Sequence, residues 1–343
     1  MFDILDTVDD WLRQGKNIAL ATVVETWGSS PRQAGAKMAV TDELSMIGSV
    51  SGGCVETAVV QEGIDGLGDH KPRLLHFGVS DDTAWNVGLA CGGRMAVYVE
   101  PLDKDWWRAA ADATRQNRAT ASIVVLEGEM AGQKMLIDAA GTILYGTDGL
   151  TPGQKDALVE AGRVAIERRK PERATVADLN VLIDVHRPLP RLIIVGGAHV
   201  AMALHSFARQ LGFRVALIDP RQVFATPERF PDIDCILHTY PDKALLDLGL
   251  DSDTYVAVLT HDPKIDDPAL KVALPSPAPY VGVLSSKRSH QKRVERLTAA
   301  GVDPHDLERV RTPIGLEIGA KTPEEIALSI MAEIVAARNG ALV

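Results

Sequence analysis

The chain has 343 residues, 46% hydrophobic and 24% charged, a composition typical of globular proteins that excludes disordered, collagen-like and coiled-coil classes. Its 36 lysines and arginines against 46 aspartates and glutamates give a formal net charge of −10, which disfavours binding to nucleic acid or to anionic membranes. There is no signal-peptide pattern, no apolar run of roughly 20 residues, and only three cysteines. We therefore expect a cytoplasmic protein without a membrane span or a disulfide framework.

The first half of the chain predicts short strands separated by glycine-rich turns. Residues 4–12 have the apolar spacing of a helix with one buried face, and a second helix is expected to start near Cys54. Strands are predicted at 18–26, 37–40, 45–48, 74–77 and 94–100. The motif-bearing turns, 28–32, 51–54 and 91–93, lie between these elements.

A middle section, about 103–185, predicts helices at 106–115 and 152–168 and strands at 122–126, 134–138 and 142–145. Pro188 and Pro190 then interrupt both the helical and the strand pattern of apolar residues. We place a domain boundary there, with an N-terminal mixed α/β domain at 1–187, which includes the middle section, and a C-terminal domain at 188–343.

The C-terminal domain shows strands alternating with helices. Strands are predicted at 192–195, 214–218, 235–237, 255–259 and 280–284, and helices at 200–211, 269–274 and 290–300. A last helix starts at a capping box, Thr322 with Glu325. This alternation predicts a Rossmann-like, doubly wound parallel sheet covered on both faces.

The first of these strands runs into a glycine turn and then a helix, which is the position of a dinucleotide fingerprint. The turn reads Gly196-Gly197-Ala198-His199, so an alanine replaces the second required glycine. Asp219 ends the next strand, where such folds place an acid that holds a ribose hydroxyl. The turn predicts a nucleotide or phosphate-ester site; the alternative is a tight strand-to-helix connection without a ligand.

Polar residues follow several of the predicted strands, and parallel strands end at one edge of a sheet. We expect them to border one crevice: His199, Asp219, Arg221, His261, Asp262, Lys287 and Arg288. Lys287 and Arg288 are candidates to hold a phosphate. The alternatives are structural histidines and a basic, solvated helix.

Two turns place a cysteine beside paired glycines, Gly52-Gly53-Cys54 and Cys91-Gly92-Gly93. Paired glycines let the backbone approach a ligand closely, and a thiolate suits sulfane sulfur or a sulfur-rich metal centre. Cys54 would gain thiolate character from a helix start. The alternative is that both are small buried hydrophobic residues. Cys235, between apolar neighbours, is expected in the core. Neither turn has zinc-site spacing.

Taken together, these motifs resemble the xanthine dehydrogenase accessory factors of the XdhC/CoxI type. The matching segments are 28–32 (Gly-Ser-Ser-Pro-Arg), 51–56 (Ser-Gly-Gly-Cys-Val-Glu), 91–93, 196–201, 219–221 (Asp-Pro-Arg), 260–262 (Thr-His-Asp), 313–316 and 323–334. They cover nearly the whole chain in the family's order. Two departures lie in the C-terminal half: the family's Gly-Ala-Gly-His is Gly-Gly-Ala-His here, and Ser285 replaces a glycine.

The resemblance implies a molybdenum cofactor chaperone that protects the cofactor during sulfuration and delivers it to a molybdenum hydroxylase such as xanthine dehydrogenase. It implies a homodimer that works with a cysteine desulfurase, and an accessory factor rather than a turnover enzyme. By the matched motifs, Ser30, Arg32 and Glu56 join the candidate cofactor-binding residues, with Cys54 and Cys91 nearest the molybdenum. The molybdopterin or dinucleotide form of the cofactor stays open, as does a nucleotide in the C-terminal domain.

Two other functions stay open at this point. A nicotinamide-dependent oxidoreductase could use the Rossmann-like domain, although its intact glycine fingerprint is absent. An inert scaffold could use the same fold for protein contacts alone.

Overall fold

A computed structural model describes residues 3–28, 32–53, 55–78 and 93–342, with the side chain of Lys287 excepted. Contacts divide the chain into two compact units, Met1–Pro188 and Leu189–Val343. Each unit has hydrophobic clusters of its own. No helix in the described ranges combines the length and apolar character needed to cross a bilayer.

The first unit consists mainly of two antiparallel sheets. Its elements, in chain order, are α1 (Leu5–Arg13), β1 (Ile18–Trp27), β2 (Lys37–Thr41), β3 (Met46–Gly48), α2 (Glu56–Asp69), β4 (Arg73–Phe77), β5 (Arg94–Pro101), α3 (Lys104–Arg115), β6 (Thr120–Val125), β7 (Lys134–Asp138), β8 (Ile143–Gly146), α4 (Pro152–Arg168), β9 (Glu172–Val176) and β10 (Leu179–His186). The strand orders are β3-β2-β1-β5-β4 and β8-β7-β6-β10-β9. The sequence predicted these elements apart from β9 and β10.

The two sheets face each other, and helices cover their outer faces. Alternate residues of β1, such as Ala21 and Val23, pack with Val59 of α2. On the second sheet, Ile123 and Ile183 pack with Leu158 of α4 in the same way. Between the sheets, an apolar cluster that includes Tyr98 and Leu182 joins the inner faces. The unit is therefore a helix–sheet–sheet–helix sandwich.

Two buried ion pairs join the two sheets, with the cation supplied by the first sheet in one pair and by the second sheet in the other. Lys37 Nζ of the first sheet lies 2.6 Å from Asp184 Oδ2 of the second, and Lys134 Nζ of the second lies 2.8 Å from Glu100 Oε2 of the first. All four side chains are at least nine-tenths buried. They line a small cavity with room for about one water molecule, together with Thr22, Ser122 and Trp106. Each sheet thus supplies one cation and one anion to the interior.

The second unit is a parallel α/β domain. Its elements are β11 (Arg191–Val195), α5 (His199–Gln210), β12 (Arg214–Ile218), a 3₁₀ turn (Gln222–Phe224), β13 (Cys235–Leu237), α6 (Pro241–Leu248), β14 (Thr254–Val258), α7 (Pro263–Ala273), β15 (Tyr280–Val283), α8 (Lys287–Ala299), α9 (Pro304–Leu307), β16 (Val310–Arg311) and α10 (Pro323–Arg338). The sheet order is β13-β12-β11-β14-β15-β16, and every neighbouring pair is parallel. Counted within the unit, this is the Rossmann order 3-2-1-4-5-6.

Helices cover both faces of the parallel sheet, as the alternating pattern predicts. Leu192 and Ile194 of β11 pack toward α5 and α10, whereas Ile193 and Val195 pack toward α6 and α7. The predicted capping box of α10 is confirmed, since Thr322 accepts from Glu325 N and Glu325 reaches back to Thr322 N. Cys235 differs from expectation: it is only half-buried on the edge strand β13, because that strand has a neighbour on one side only.

Candidate functional site

In the first unit, the glycine turn before α2 surrounds the carboxylate of Glu56. Oε1 accepts from Ser49 Oγ at 2.7 Å and from the amides of residues 50, 51 and 52 at 3.3, 2.8 and 2.9 Å. Oε2 accepts from Gly53 N at 2.8 Å and from the hydroxyl of Ser51. The turn has this shape because Gly52 and Gly53 adopt φ values of +82° and +125°, which favour glycine. We call the donors of residues 49–53 the carboxylate nest.

The ionisation of Glu56 reflects these donors. Burial alone would raise the pKa of this carboxyl, but the hydrogen bonds from Ser51 and Ser49 outweigh it and lower the pKa to about 2. Glu56 is only 8% exposed, so its oxygens are committed to the chain itself. The structure therefore shows Glu56 as the group that organises the turn. The capping-box pattern does not supply a sequence signal for this role, because Glu56 is the first residue of α2 and the N-cap is Val55.

Two further candidate residues of the first unit are Arg32, which contacts the turn of the carboxylate nest, and Gly93, which lies near Gly28. Arg32 Nε donates to the carbonyl oxygen of Ser49 at 3.1 Å, and its Nη2 lies 3.3 Å from Asp3 Oδ2. Gly93 is a neighbour of Gly28, because a Cβ on Gly28 would lie 3.6 Å from the Cα of Gly93, an ordinary van der Waals distance. Ser30, Cys54, Cys91 and Gly92 lie outside the described residues, so their candidate roles stay predictions.

In the second unit, the glycine turn after β11 packs against the end of β14 and against the 3₁₀ turn that follows β12. A Cβ on Gly196 would lie 2.3 Å from Thr260 Cγ2, and a Cβ on Gly197 would lie 2.3 Å from the carbonyl oxygen of Phe224. Both contacts are too close for any side chain. Ala198 is the N-cap of α5, and its methyl side chain offers no hydrogen-bond acceptor to this helix end. The turn is thus fixed at the edge where ligands of doubly wound sheets bind.

Asp219 and Arg221 form a fork next to this turn. Arg221 donates from Nε to Oδ1 and from Nη2 to Oδ2, both at 2.9 Å, and Gly197 N donates to Oδ2 at 2.9 Å. Asp219 is fully buried, and Arg221 stacks over the Phe224 ring at 4.3 Å. Burial alone would raise the pKa of Asp219, but the hydrogen bonds from Arg221 and Gly197 lower it. Both carboxylate oxygens are engaged, whereas Arg221 is 39% exposed and so presents part of its guanidinium at this edge.

The remaining sequence candidates of the second unit occupy strand ends and helix starts. His199 is the exposed first residue of α5, and His261 is exposed after β14. Asp262 caps α7 by accepting from Lys264 N at 2.9 Å. The hydrogen bond to Asp219 raises the pKa of Arg221, and Asp262 contributes in the same direction through its charge. Arg288 is exposed on the first turn of α8, and the side chain of Lys287 is outside the described atoms.

A buried polar network at the same edge was not predicted. Arg293 donates to Asp266 Oδ2 at 2.9 Å and to Ser285 Oγ at 3.0 Å, and Asp266 also accepts from Thr260. Burial raises the pKa of Asp266 despite these donors. The sequence offered a partial signal, because Ser285 departs from the family's glycine and its hydroxyl is what meets Arg293. No cluster of three metal-ligating side chains occurs among the residues that the structure describes.

The fold and these turns define a two-part α/β protein whose C-terminal part is a Rossmann domain. Family models agree: residues 192–334 match the model described as the XdhC Rossmann domain, and residues 11–78 match the XdhC and CoxI family. The two ranges together cover more than half of the chain. The chain belongs to the XdhC and CoxI family.

Several named relatives align along most of the chain. A Bacillus subtilis protein, named as a probable subunit of xanthine dehydrogenase, is 28% identical over 97% of this chain and 96% of its own length. The molybdenum cofactor insertion chaperone PaoD of Escherichia coli is 26% identical over 95% of this chain and 85% of PaoD. YqeB of Escherichia coli is 27% identical over 94% of this chain, which spans 44% of the length of YqeB.

A solved structure has the same fold from end to end. A crystal structure described as a xanthine dehydrogenase from Bacillus halodurans superposes with a TM-score of 0.78 at 25% identity, covering 98% of this chain and 96% of that one. The expected fold class, a mixed α/β N-terminal part with a Rossmann-like C-terminal part, is confirmed.

Proposed function

We propose that this protein is a chaperone of the molybdenum cofactor, which binds the cofactor, protects it during sulfuration and delivers it to a molybdenum hydroxylase such as xanthine dehydrogenase. The observation that carries this proposal is the alignment with PaoD, a molybdenum cofactor insertion chaperone, over 95% of the chain. The cofactor is the cargo of such a protein. We propose further that the chaperone is cytoplasmic, acts as a homodimer, consists of domains 1–187 and 188–343, and receives sulfur from a cysteine desulfurase.

The anionic tail of the cofactor fits the second unit. Its phosphate, or the pyrophosphate of a dinucleotide form, would meet the uncapped start of α5 and the exposed side of Arg221. His199, Lys287 and Arg288 are the other proposed contacts, with Gly196 and Gly197 allowing the turn. Because both oxygens of Asp219 are engaged, Asp219 would act by holding Arg221 rather than by binding a ribose.

The first unit carries the residues that we propose for the sulfur-rich end of the cofactor. We propose that Cys54 and Cys91 lie nearest the molybdenum, on the turns of Gly52-Gly53 and Gly92-Gly93, with Ser30 and Arg32 beside them. Soft thiolates are suitable neighbours for a dithiolene-bound metal. Arg32 supports this placement because it contacts Ser49, in the turn that leads to Cys54.

Co-elution tests the proposal. Purified apo-protein is incubated with molybdenum cofactor, and molybdenum and pterin are quantified in the protein peak after gel filtration. We expect both to co-elute and then to activate a hydroxylase apo-enzyme on mixing. Absence of molybdenum and pterin from the peak would refute cofactor binding.

The Rossmann strand order also favours a second candidate, a nicotinamide-dependent oxidoreductase. Titration with reduced nicotinamide dinucleotides, followed by their fluorescence, distinguishes it. We expect no saturable change, because Ala198 adds a Cβ at the turn and Asp219 has no free oxygen for a ribose. A saturable change with turnover would instead assign the enzyme function.

A further inference from the structure

The small cavity between the two sheets of the first unit is lined by charged groups of both signs. Lys37 and Lys134 bring two ammonium groups to it, and Asp184 and Glu100 bring two carboxylates. The other polar groups of the lining belong to three side chains: Thr22, Ser122 and Trp106. All four charged side chains are at least nine-tenths buried, so an occupant of the cavity is held by the protein rather than by bulk solvent.

The two ammonium groups carry more protons than the chain uses. Lys37 Nζ donates to Thr22 Oγ1 at 3.2 Å and to Asp184 Oδ2 at 2.6 Å, whereas an ammonium group has three protons to donate. Lys134 Nζ has one oxygen partner in the described part of the chain, Glu100 Oε2 at 2.8 Å. Because a buried donor without an acceptor is unfavourable, both lysines favour a further acceptor inside the cavity.

The carboxylates offer the complementary groups. Each ion pair is made through a single carboxylate oxygen, Oδ2 of Asp184 and Oε2 of Glu100, and every carboxylate oxygen can accept more than one hydrogen bond. The lining as a whole is neutral, with two cations and two anions. A chloride ion would therefore meet two carboxylates, and a sodium ion would meet two ammonium groups. The ligand that suits this lining is neutral, and it both accepts and donates hydrogen bonds.

We propose that one buried water molecule occupies this cavity and joins the two ion pairs into a single network. The water accepts from the ammonium groups and donates to the carboxylates, which gives it the two to four polar partners that buried waters have. The room in the cavity, about one water molecule, matches this occupant. Since each pair already connects the two sheets, the shared water makes both pairs one unit in the interior of the sandwich.

The test counts the long-lived water molecules of the whole apo-protein by magnetic relaxation dispersion of the water oxygen signal. One variant makes the first pair apolar, Lys37→Met/Asp184→Leu, and another makes the second pair apolar, Lys134→Met/Glu100→Leu. Both should fold, because replacing a buried ion pair by apolar residues is often neutral or stabilising. Each should hold one long-lived water fewer than the wild type, since a cavity that loses half of its polar lining stays dry.

A variant with all four substitutions distinguishes one shared water from two separate ones. It should also hold one water fewer than the wild type, because both pairs bind the same molecule. Lys16→Met/Glu43→Leu is the matched control, since it makes the same replacement in a lysine–glutamate pair of the same length, 2.8 Å, in which Glu43 is 68% exposed. It should leave the water count unchanged.

Ser122→Thr serves if the pair variants do not fold. It adds one methyl group to the lining and keeps the hydroxyl oxygen that accepts from Trp106 Nε1 at 3.0 Å, so it should displace the water while preserving this hydrogen bond. Ser252→Thr, at an exposed position of the second unit, makes the same change as a control and should leave the count unchanged.

An unchanged water count in either folded pair variant would overturn the shared water, and so would a loss of two molecules when all four residues are replaced. If only Ser122→Thr folds, an unchanged count in that variant would overturn it. The molybdenum cofactor is absent from these measurements, so they succeed or fail independently of the proposed function, which the co-elution experiment tests.

Discussion

Arg221 donates two parallel hydrogen bonds to Asp219, and the carboxylate that receives them also accepts the amide of Gly197. One buried aspartate thus connects the glycine turn after β11 with the arginine that follows β12. The same residue that sequence patterns associate with ribose binding here has a structural partner for each oxygen. This arrangement makes the fork a point at which both stability and ligand binding can be tested.

Replacing Asp219 should destabilise the second unit. In Asp219→Ala the Gly197 amide and the Arg221 guanidinium lose their acceptor in a site that is fully buried, and we expect a loss of about 2–4 kcal/mol in the free energy of unfolding. Urea unfolding of the whole chain measures it. Asp262→Ala, which removes only a helix cap, should cost about 1 kcal/mol. Equal losses in the two variants would contradict this account of Asp219.

Replacing Arg221 should weaken cofactor retention and also cost stability, because Arg221→Ala leaves the buried Asp219 carboxylate without its cation. The side chain of Arg221 is 39% exposed, and a charge-assisted contact to phosphate would account for about tenfold in affinity. Arg221→Lys should recover little of the cofactor retention that Arg221→Ala loses, because an ammonium group cannot donate two parallel hydrogen bonds to Asp219. Arg296→Ala is the control, since Arg296 forms a comparable fork with Asp267 at 2.7 Å. Retention that is equally weakened in both alanine variants would remove Arg221 from the site.

The cysteine variants test the first unit. Cys54→Ala and Cys91→Ala should each lower molybdenum retention or client activation while leaving the melting temperature unchanged. Cys235→Ala should leave molybdenum retention unchanged. It should cost about 1 kcal/mol of stability, because half-buried Cys235 packs against the core of the second unit. Normal retention and normal client activation in both Cys54→Ala and Cys91→Ala would return these cysteines to a structural role.

The buried ion pair between Lys37 and Asp184 predicts that substitutions at these two residues have strongly non-additive effects on the free energy of unfolding. Lys37→Met leaves Asp184 buried without its cation, and we expect a loss of about 3–5 kcal/mol. The double variant Lys37→Met/Asp184→Leu should recover most of that loss, because no charge is then left unpaired. Chemical denaturation of the single and double variants gives the coupling energy. If the double variant loses the sum of the two single losses, the residues are not coupled.

His186 should make the first unit acid-sensitive. Burial lowers its pKa to about 4, from an ordinary value of 6.5, despite the nearby Asp184. Between these two values the unfolded chain binds the proton and the folded chain does not, so stability falls as the pH decreases from about 6.5 to about 4. His186→Gln should reduce the slope of stability against pH in this window by up to about 1.4 kcal/mol per unit.

Buried apolar runs made the second unit predictable from the sequence. Leu192 to Val195 is apolar at every position because both faces of a central parallel strand are covered, and Thr322 with Glu325 marks the last helix by local chemistry alone. β10 was missed although Leu179, Val181, Ile183 and Val185 alternate along its outer face. Its inner face carries Asp184 and His186, and the cation that pairs with Asp184 comes from the other sheet, a partnership that the local sequence does not show.

The candidate site was predictable as motifs but not as contacts. The sequence placed Glu56 beside Cys54 and Arg221 beside Asp219, yet both acids proved to be bound by their own chain. Such contacts depend on the path of the backbone through the turn. Glycine permits several backbone conformations, so the sequence does not determine that path. Arg293 and Asp266, 27 residues apart, are brought together only by the packing of α7 and α8.

The reciprocal pairing of Lys37 with Asp184 and of Lys134 with Glu100 has a consequence for biosynthesis. The first sheet is complete once Pro101 has been made, but its inward-facing lysine and glutamate have no counter-ions until the strands carrying Lys134 and Asp184 follow. Because a ribosome adds roughly 5–20 residues per second, the inner face of the first sheet stays without its partner sheet for several seconds during synthesis. A fragment ending near residue 102 should accordingly be prone to aggregation, and the two sheets should acquire their stability in a single cooperative step.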